Sequence, residues 1–280
     1  MQVRFLPGAL IVDSTDAFVD AYLRRLAVDR REPSDLAYLR ALHAAHLEHV
    51  PFENLSIHLG EQISLEPTTL ATKILERGRG GFCYELNGLF ATLLDRLGYQ
   101  VKLLGARVRD GPTFGPPLDH LVLVVGIANG EGRWIADVGF GDHSVYPVPW
   151  REDVDHQDPG GIFRLSASDD GNWDVYRNGS VQYRIEHARR VLADFEAMCW
   201  YQQTSPRSHF TRSLVCTRRT ETGRATLSGR RLILTTADGK QETEIDDDER
   251  VLDTYRRIFG IELDRVPTVA RRHRRSGRSG

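Results

Sequence analysis

Cysteine is scarce in this sequence. Only Cys83, Cys199 and Cys216 occur among the 280 residues, and no two of them have the C-x-x-C spacing of zinc knuckles and redox motifs. An odd number of cysteines at irregular spacing also argues against a disulfide framework. Because chains without disulfides are typical of reducing compartments, the sequence predicts a cytoplasmic protein.

The sequence also lacks a dominant charge and a long apolar run. Its 37 lysines and arginines nearly balance its 39 aspartates and glutamates, so no overall field favours nucleic acid or a membrane surface as a partner. No stretch approaches the roughly 20 apolar residues of a membrane-spanning helix. The arginine-rich segment 271–280 departs from the charge balance, and it is predicted to be a disordered basic tail.

Hydrophobic periodicity changes twice along the chain. Apolar residues at helical spacing predict helices in the first third, the last of which begins near Cys83. Short β-branched runs then predict an antiparallel β region, with Asn129-Gly130 as a two-residue hairpin turn. A smaller mixed segment follows and closes with a predicted helix over 247–259. This order indicates an α+β fold.

Residues 77–85, Arg-Gly-Arg-Gly-Gly-Phe-Cys-Tyr-Glu, form the most informative segment. Three glycines interrupt one predicted helix just before the next begins, and they allow the backbone to approach a substrate closely. Cys83 is therefore expected at a helix N-terminus, where N–H groups and the dipole favour a thiolate and can hold an oxyanion. Alone, such a cysteine would be interpreted as a small buried residue.

His120 and Asp137 are the expected base and acid. They lie on the two predicted strands that flank Asn129-Gly130, and a two-residue turn makes them diagonal neighbours on one face of the hairpin. In the functional interpretation, His120 takes the thiol proton of Cys83 and Asp137 orients the imidazole. The alternative is a structural His–Asp pair, since an aspartate in an apolar strand needs a polar partner in any case.

A metal site is the weaker interpretation of the histidines. His43, His46 and His49 repeat at a spacing of three, which can bind a metal on a helix. No second cluster supplies further ligands, and Gly80-Gly81 is not followed by the Gly-Lys-Ser/Thr of a phosphate loop. The sequence therefore predicts neither a metal nor a tightly bound cofactor.

Four segments carry a family resemblance. They are Val-Pro-Phe-Glu-Asn-Leu at 50–55, Arg-Gly-Gly-Phe-Cys-Tyr-Glu at 79–85, Asp-Val-Gly-Phe-Gly at 137–141 and Thr-Ser-Pro-Arg-Ser-His-Phe at 204–210. Together, and in this order, they resemble the arylamine N-acetyltransferase family. The resemblance extends from about residue 17 onward and excludes the arginine-rich tail.

The resemblance implies an α+β fold in three parts. These are a helical bundle over 1–98 that carries the cysteine, a central antiparallel β-barrel over 99–205 that carries the histidine and aspartate, and an α/β lid over 206–270. It also implies a catalytic core like that of cysteine proteases and transglutaminases.

The resemblance also implies a reaction and its residues. Acetyl-CoA acylates the cysteine, CoA leaves, and the nitrogen of an arylamine, hydrazine or arylhydroxylamine takes the acetyl group, as in the metabolism of xenobiotic amines. The implied triad is Cys83, His120 and Asp137. The implied walls of the substrate and CoA path are Phe52, Gly139, Phe140 and Phe210. The implied ion pair behind the catalytic loop is Glu53 with Arg79.

Other functions remain open on the same residues. An amide synthase of this fold would release a carrier-bound polyketide, a thiol hydrolase would use water as the acceptor, and a binding module would have no reactive thiol. The chain also departs from many relatives at Asp119, where they have a small polar residue. That carboxylate is expected either to raise the pKa of His120 or to face solvent. The preferred amine and the oligomeric state are not determined by the sequence.

Overall fold

A computed structural model describes residues 15–30, 34–127 and 132–269. The predicted tail and the Asn129-Gly130 turn lie outside the described residues. Across these three ranges, every helix is too short or too polar to cross a lipid bilayer.

Helices dominate the first third of the chain. In order, the elements are α1 (Thr15–Leu26), α2 (Leu36–His49), strand β1 (Phe52–Glu53), α3 (Leu55–Leu59), α4 (Pro67–Ala71) with a π-helical continuation over Thr72–Glu76, and α5 (Cys83–Arg96). The apolar faces of α1, α2 and α5 pack in one buried core, which excludes water from the middle of this region. Asp35 caps α2, because its carboxylate accepts the Tyr38 N–H at 2.7 Å.

A nearly closed antiparallel sheet follows. Its strands are β2 (Gln100–Asp110), β3 (Thr113–Phe114), β4 (His120–Gly126), β5 (Arg133–Ala136), β6 (Val148–Pro149), β7 (His156–Asp158), β8 (Gly161–Ala167), β9 (Trp173–Arg177) and β10 (Ser180–Arg190). Their order is β6-β5-β4-β2-β10-β9-β8-β7, with β3 paired to β2. The inward-facing side chains of these strands form a second apolar core, as expected for a barrel-like sheet.

The register of β4 and β5 is the one that a two-residue turn predicts. Leu123 pairs with Ala136 and Gly126 pairs with Arg133. His120 is the first residue of β4, and Asp137 follows β5 directly. Both residues therefore lie at the end of the hairpin that is distant from its turn, within reach of α5.

The last third contains a second sheet. Short helices α6 (Glu196–Thr204) and α7 (His209–Arg212) lead into β11 (Val215–Thr220), β12 (Gly223–Ser228), β13 (Arg231–Thr236) and β14 (Gly239–Glu244), and α8 (Asp248–Thr254) with a π-helical continuation over Tyr255–Phe259 packs against them. β1 pairs with β11, with Phe52 opposite Thr217. β1 is therefore an edge strand of the C-terminal sheet, and Phe52 also bridges to Gly81 in the glycine loop that precedes α5.

Candidate active site

A cleft of about 510 Å³ lies between the start of α5, the start of β4 and the segment that contains α6 and α7. Cys83 and His120 lie in its wall, and each is nearly buried. The other residues of the cleft wall that the sequence analysis singled out are Phe52, Gly139, Phe140 and Phe210. Asp137, Glu53 and Arg79 lie behind this wall and are buried.

His120 lies between a carboxylate and a thiol. Its Nε2 atom lies 2.8 Å from Asp137 Oδ2, and the Cys83 side chain is near enough to raise the pKa of the imidazole. Because Nε2 is engaged by the carboxylate, Nδ1 is the ring nitrogen that remains available to the thiol. The carboxylate, the imidazole and the thiol are thus brought together where α5 and β4 begin.

The electrostatics of the pair favour its charged form. Burial lowers the pKa of His120, but the Asp137 carboxylate and the hydrogen bonds to Asp137 and Cys83 outweigh burial and raise the pKa from 6.5 to about 10. Burial likewise raises the pKa of Asp137, but His120 outweighs it and holds that pKa well below its usual range. At neutral pH, the pair is therefore an imidazolium and a carboxylate.

Asn87 holds the Asp137 carboxylate from α5, and the sequence alone predicted no role for it. Its Nδ2 group donates to Asp137 Oδ1 at 2.9 Å and to the Leu121 carbonyl at 2.6 Å. Its Oδ1 atom accepts the Val138 N–H at 3.0 Å. Asn87 lies four residues after Cys83, on the same face of α5. Its spacing of four residues from Cys83 was the feature of the sequence that could have placed the Asn87 amide at the site.

His43 supports the same aspartate from α2. Its Nε2 atom accepts the Asp137 N–H at 3.1 Å, while Nδ1 lies 2.9 Å from the Val145 carbonyl. The neutral ring can satisfy both contacts if Nδ1 carries the proton. His46 instead contacts the Tyr22 hydroxyl. In the described parts of the chain, no group of three or more histidine, cysteine, aspartate or glutamate side chains has an arrangement that could hold a metal ion.

Glycines allow the elements of the site to approach one another. A Cβ atom at Gly139 would lie 2.8 Å from the Cys83 Cα atom, and one at Gly80 would lie 1.8 Å from the Pro51 carbonyl oxygen. A Cβ atom at Gly81 would lie within 2.8 Å of the Glu85 side chain. The glycines at 80 and 81 were expected to admit a substrate, whereas they pack against Pro51 and Glu85.

A buried network of ion pairs lies behind the glycine loop at 78–81, which precedes Cys83. Arg79 Nε donates to Glu53 Oε1 at 2.9 Å, and Lys73 Nζ lies 2.6 Å from Glu85 Oε1. Glu85 Oε2 in turn accepts the Phe82 N–H at 3.2 Å, at the start of α5. Arg79 and Lys73 hold the pKa of Glu53 below its usual value, although burial acts in the opposite direction. The network fixes the backbone on both sides of Gly80-Gly81.

We expect Glu53 and Arg79 to be strongly coupled in stability. Changing Glu53 to glutamine or Arg79 to methionine should each lower the free energy of unfolding by up to about 3–5 kcal/mol, because each removes the nearest partner of a buried charge and leaves it only the more distant Glu61 or Lys73. The double variant should lose less than the sum of the two, by about 0.5–3 kcal/mol. Urea unfolding of the four proteins measures this coupling. Simple additivity would show that the pair makes no specific contribution.

The comparisons with known proteins identify the family. The model of the N-acetyltransferase family matches residues 35–268, which is most of the chain. The chain is 34% identical to the arylamine N-acetyltransferase of Mycolicibacterium smegmatis, over 86% of this chain and 91% of that protein. The chain therefore belongs to the arylamine N-acetyltransferase family. Its members are acyltransferases, and this chain is an enzyme of that class.

Two further relatives of this family are informative. The arylamine N-acetyltransferase / N-hydroxyarylamine O-acetyltransferase of Salmonella typhimurium is 34% identical, over 76% of this chain and 77% of that protein. The solved structure of Mycobacterium marinum arylamine N-acetyltransferase in complex with CoA is 31% identical, with a TM-score of 0.79 over 87% of this chain and 92% of that chain. The fold of this acyltransferase is thus that of its family.

Proposed function

We propose that this enzyme transfers an acetyl group from acetyl-CoA, through a Cys83 thioester, to the nitrogen of an arylamine, hydrazine or arylhydroxylamine. The observation that carries the proposal is the buried His120–Asp137 hydrogen bond beside Cys83, at a cleft with aromatic walls. Membership of the family supports the same conclusion. Cys199 and Cys216 are weaker candidates for the nucleophile, because burial raises the pKa of both thiols.

In the first half-reaction, the Cys83 thiolate attacks the carbonyl carbon of acetyl-CoA. N–H groups in the first turn of α5 can stabilise the resulting oxyanion. When the bond between the carbonyl carbon and the CoA sulfur breaks, the His120 imidazolium gives its proton to that sulfur. The products are CoA, acetyl-Cys83 and a neutral His120 that is still held by Asp137.

In the second half-reaction, the acceptor nitrogen attacks the thioester carbonyl. Neutral His120 takes the proton from the attacking nitrogen, and the bond to the Cys83 sulfur breaks. The thiolate and imidazolium are thereby restored. Asp137 acts in both half-reactions, because it orients the His120 imidazole and stabilises its protonated form.

The aromatic walls suit a neutral aromatic acceptor. The rings of Phe52 and Phe210 lie 6.1 Å apart, and the Phe140 ring meets the His120 ring edge to face at 5.3 Å. The faces and edges of these rings offer apolar surface against which another aromatic ring can pack. An acceptor held there would present its nitrogen toward the sulfur of Cys83.

The mouth of the cleft suits an anionic donor. Arg109, Arg207 and Arg212 all line it, and within the described ranges none of them forms an ion pair with a carboxylate. Guanidinium groups bind phosphates through paired hydrogen bonds. We assign them to the phosphates of acetyl-CoA.

Changing Arg207 and Arg212 together to alanine is expected to raise the half-saturating concentration of acetyl-CoA about tenfold or more, as a hydrogen bond to a charged group contributes about 1.5 kcal/mol or more. The donor p-nitrophenyl acetate has no phosphate and should acylate the variant as fast as the parent. Stopped-flow measurement of acylation with each donor separates a loss of phosphate binding from a general loss of activity. An equal loss with both donors would show that the arginines support the fold rather than bind phosphate.

The division of the chain into three parts also belongs to the proposal. Residues 1–98, 99–205 and 206–270 would act as a helical bundle, a barrel and a lid around a cysteine-protease-like core. Support comes from the apolar cluster that each part builds mainly from its own residues. A cytoplasmic location is supported by three cysteines that are all unpaired.

The decisive experiment is CoA release from acetyl-CoA with an aminobenzoate, a hydrazide and an aromatic hydroxylamine, combined with intact-mass detection of acetyl-Cys83. Acetylation followed by transfer to any of these acceptors supports the proposal. Acetylation followed by release to water alone would favour a thiol hydrolase. No reaction with acetyl-CoA, together with acylation by a bulky thioester, would favour an amide synthase. A thiol inert to all of them would indicate a binding module.

A further inference from the structure

Asp119 does not simply face solvent. It lies directly before His120, is half-buried and lines the cleft. Its Oδ1 atom accepts a hydrogen bond from Gln202 Nε2 at 2.8 Å. Burial raises the pKa of Asp119, against the opposing effect of His120. The carboxylate is thus a bonded part of the cleft wall.

Gln202 uses both ends of its amide group. While Nε2 donates to Asp119, Oε1 accepts the Ser208 hydroxyl at 2.6 Å. Ser208 is the N-cap of α7, and its Oγ atom accepts the Phe210 N–H at 3.1 Å. Gln202 and Ser208 are 6% and 2% exposed. A buried series of hydrogen bonds therefore joins the residue before the base to the helix that presents Phe210.

The backbone that leads into His120 needs such support. Leu118 has φ +60°, which is unfavourable for a leucine. Residues held in this region persist only where their surroundings fix them. The buried Tyr84 hydroxyl contacts the Leu118 carbonyl at 2.9 Å and the Asp119 carbonyl at 3.1 Å. Tyr84 thus holds the backbone at Leu118 and Asp119, and Gln202 holds the Asp119 side chain.

We infer that Gln202 is a positioning residue that holds His120 and Phe210 in register across the cleft, through Asp119 on one side and Ser208 on the other. The inference deepens the proposed function and rests on it. Gln202 makes no contact with the reacting atoms. It acts by setting where the imidazole lies relative to the Cys83 sulfur, and an error of about 1 Å in such placement can lower a rate about 100-fold.

The test exchanges donor and acceptor in the hydrogen bond between Gln202 and Asp119. In Gln202→Glu, a carboxylate faces the Asp119 carboxylate and the donor is lost. In the double variant Asp119→Asn/Gln202→Glu, the new asparagine amide can donate to the new carboxylate, which still accepts from Ser208. Asp119→Asn alone keeps the acceptor oxygen and is the reference for the double variant. Gln203→Glu is the matched control, because it adds the same charge at the next position of α6, where Gln203 Oε1 accepts the Ile63 N–H at 2.9 Å.

We expect Gln202→Glu to lower the rate constant for Cys83 acylation at saturating acetyl-CoA about 100-fold at pH 8. The half-saturating concentration should change by less than about threefold, and the double variant should return to within about threefold of Asp119→Asn. Gln203→Glu should match the parent within the same margin. A double variant no faster than Gln202→Glu, or a Gln202→Glu variant as fast as Gln203→Glu, would overturn the inference.

A second readout does not depend on the proposed substrate. Iodoacetamide alkylation of Cys83 reports the contact between thiolate and imidazolium, and it should slow in Gln202→Glu and recover in the double variant. If the parent failed to react with acetyl-CoA, the proposed function would fall while alkylation still tested Gln202. If Gln202→Glu did not fold, Gln202→Met would remove both hydrogen bonds without adding a charge. Parental acylation and alkylation rates in that variant would also overturn the inference.

Discussion

Changing Cys83 to alanine is expected to lower CoA release from acetyl-CoA by at least about 10⁴-fold, as loss of the nucleophile does in other enzymes with a covalent intermediate. The expectation follows from geometry, since Cys83 lines the cleft wall together with His120. The acetyl adduct seen by intact mass on the parent should be absent from the variant. Serine at this position should also be nearly inactive, because a neutral hydroxyl is a much weaker nucleophile than a thiolate.

Cys199→Ala is the matched control for this change. Cys199 is buried in the same apolar cluster as Cys83, so its replacement disturbs similar packing. Burial raises the pKa of its thiol, and it does not line the cleft. This control should keep the acetyl adduct. Substantial turnover by Cys83→Ala, or an adduct that survives in it, would show that another group carries the acetyl.

Changing Asp137 to asparagine is expected to slow acylation about 10⁴-fold, as the equivalent change does in a serine protease triad. The amide cannot stabilise the imidazolium as a carboxylate does, and it can hold the wrong tautomer of His120. Because Asp137 is the main group that raises the pKa of His120, that pKa should fall. The pH profile of iodoacetamide alkylation at Cys83 measures both effects.

The same variant should show a defined pH dependence of stability. The pKa of His120 is raised to about 10 on folding, so its contribution is full below 6.5 and is lost as pH rises through 10. The pKa of Asp137 is lowered, so its contribution is present above its ordinary value of 3.8 and is lost as pH falls. The stability deficit of Asp137→Asn should therefore be largest between about pH 4 and 6.5, shrink steadily as pH rises from 6.5 toward 10, and shrink again as pH falls below about 4.

Asp142→Asn is the comparison for this experiment. Asp142 lies in the same loop, but its side chain is 59% exposed and pairs with Arg177 and Arg224 at the surface. Its replacement should change acylation by less than about threefold, since exposed ion pairs contribute little. A flat pH dependence of the stability difference for Asp137→Asn would contradict the assignment of a charged pair.

The sequence predicted the parts of the site that local patterns determine. The short β-branched runs and the Asn-Gly pair were sufficient for the register that brings His120 and Asp137 to the same end of a hairpin. The glycines before Cys83 likewise marked the start of α5. These features depend on residues close in the chain, so a single sequence carries them.

Features that depend on distant contacts could not be predicted. His43 belongs to a helix whose histidines also fit a metal motif, and only its packing against Val145 and Asp137 distinguishes the two interpretations. Gln202 is one of two adjacent glutamines, and nothing local shows which one bonds to Asp119. Strand β14 is exposed throughout, so no alternation of apolar residues marks it.

The pairing of β1 with β11 has a consequence for any shortened form of the protein. The Glu53 N–H donates to the Gly81 carbonyl at 2.8 Å, and the Asn54 N–H donates to the Val215 carbonyl at 3.2 Å. The strand that braces the glycine loop is therefore held from its other side by the last third of the chain. A proteolytic cut followed by loss of everything after α7 would remove β11, the strand that pairs with β1. The N-terminal fragment would keep Cys83, His120 and Asp137 but would lose the backbone support that aligns them.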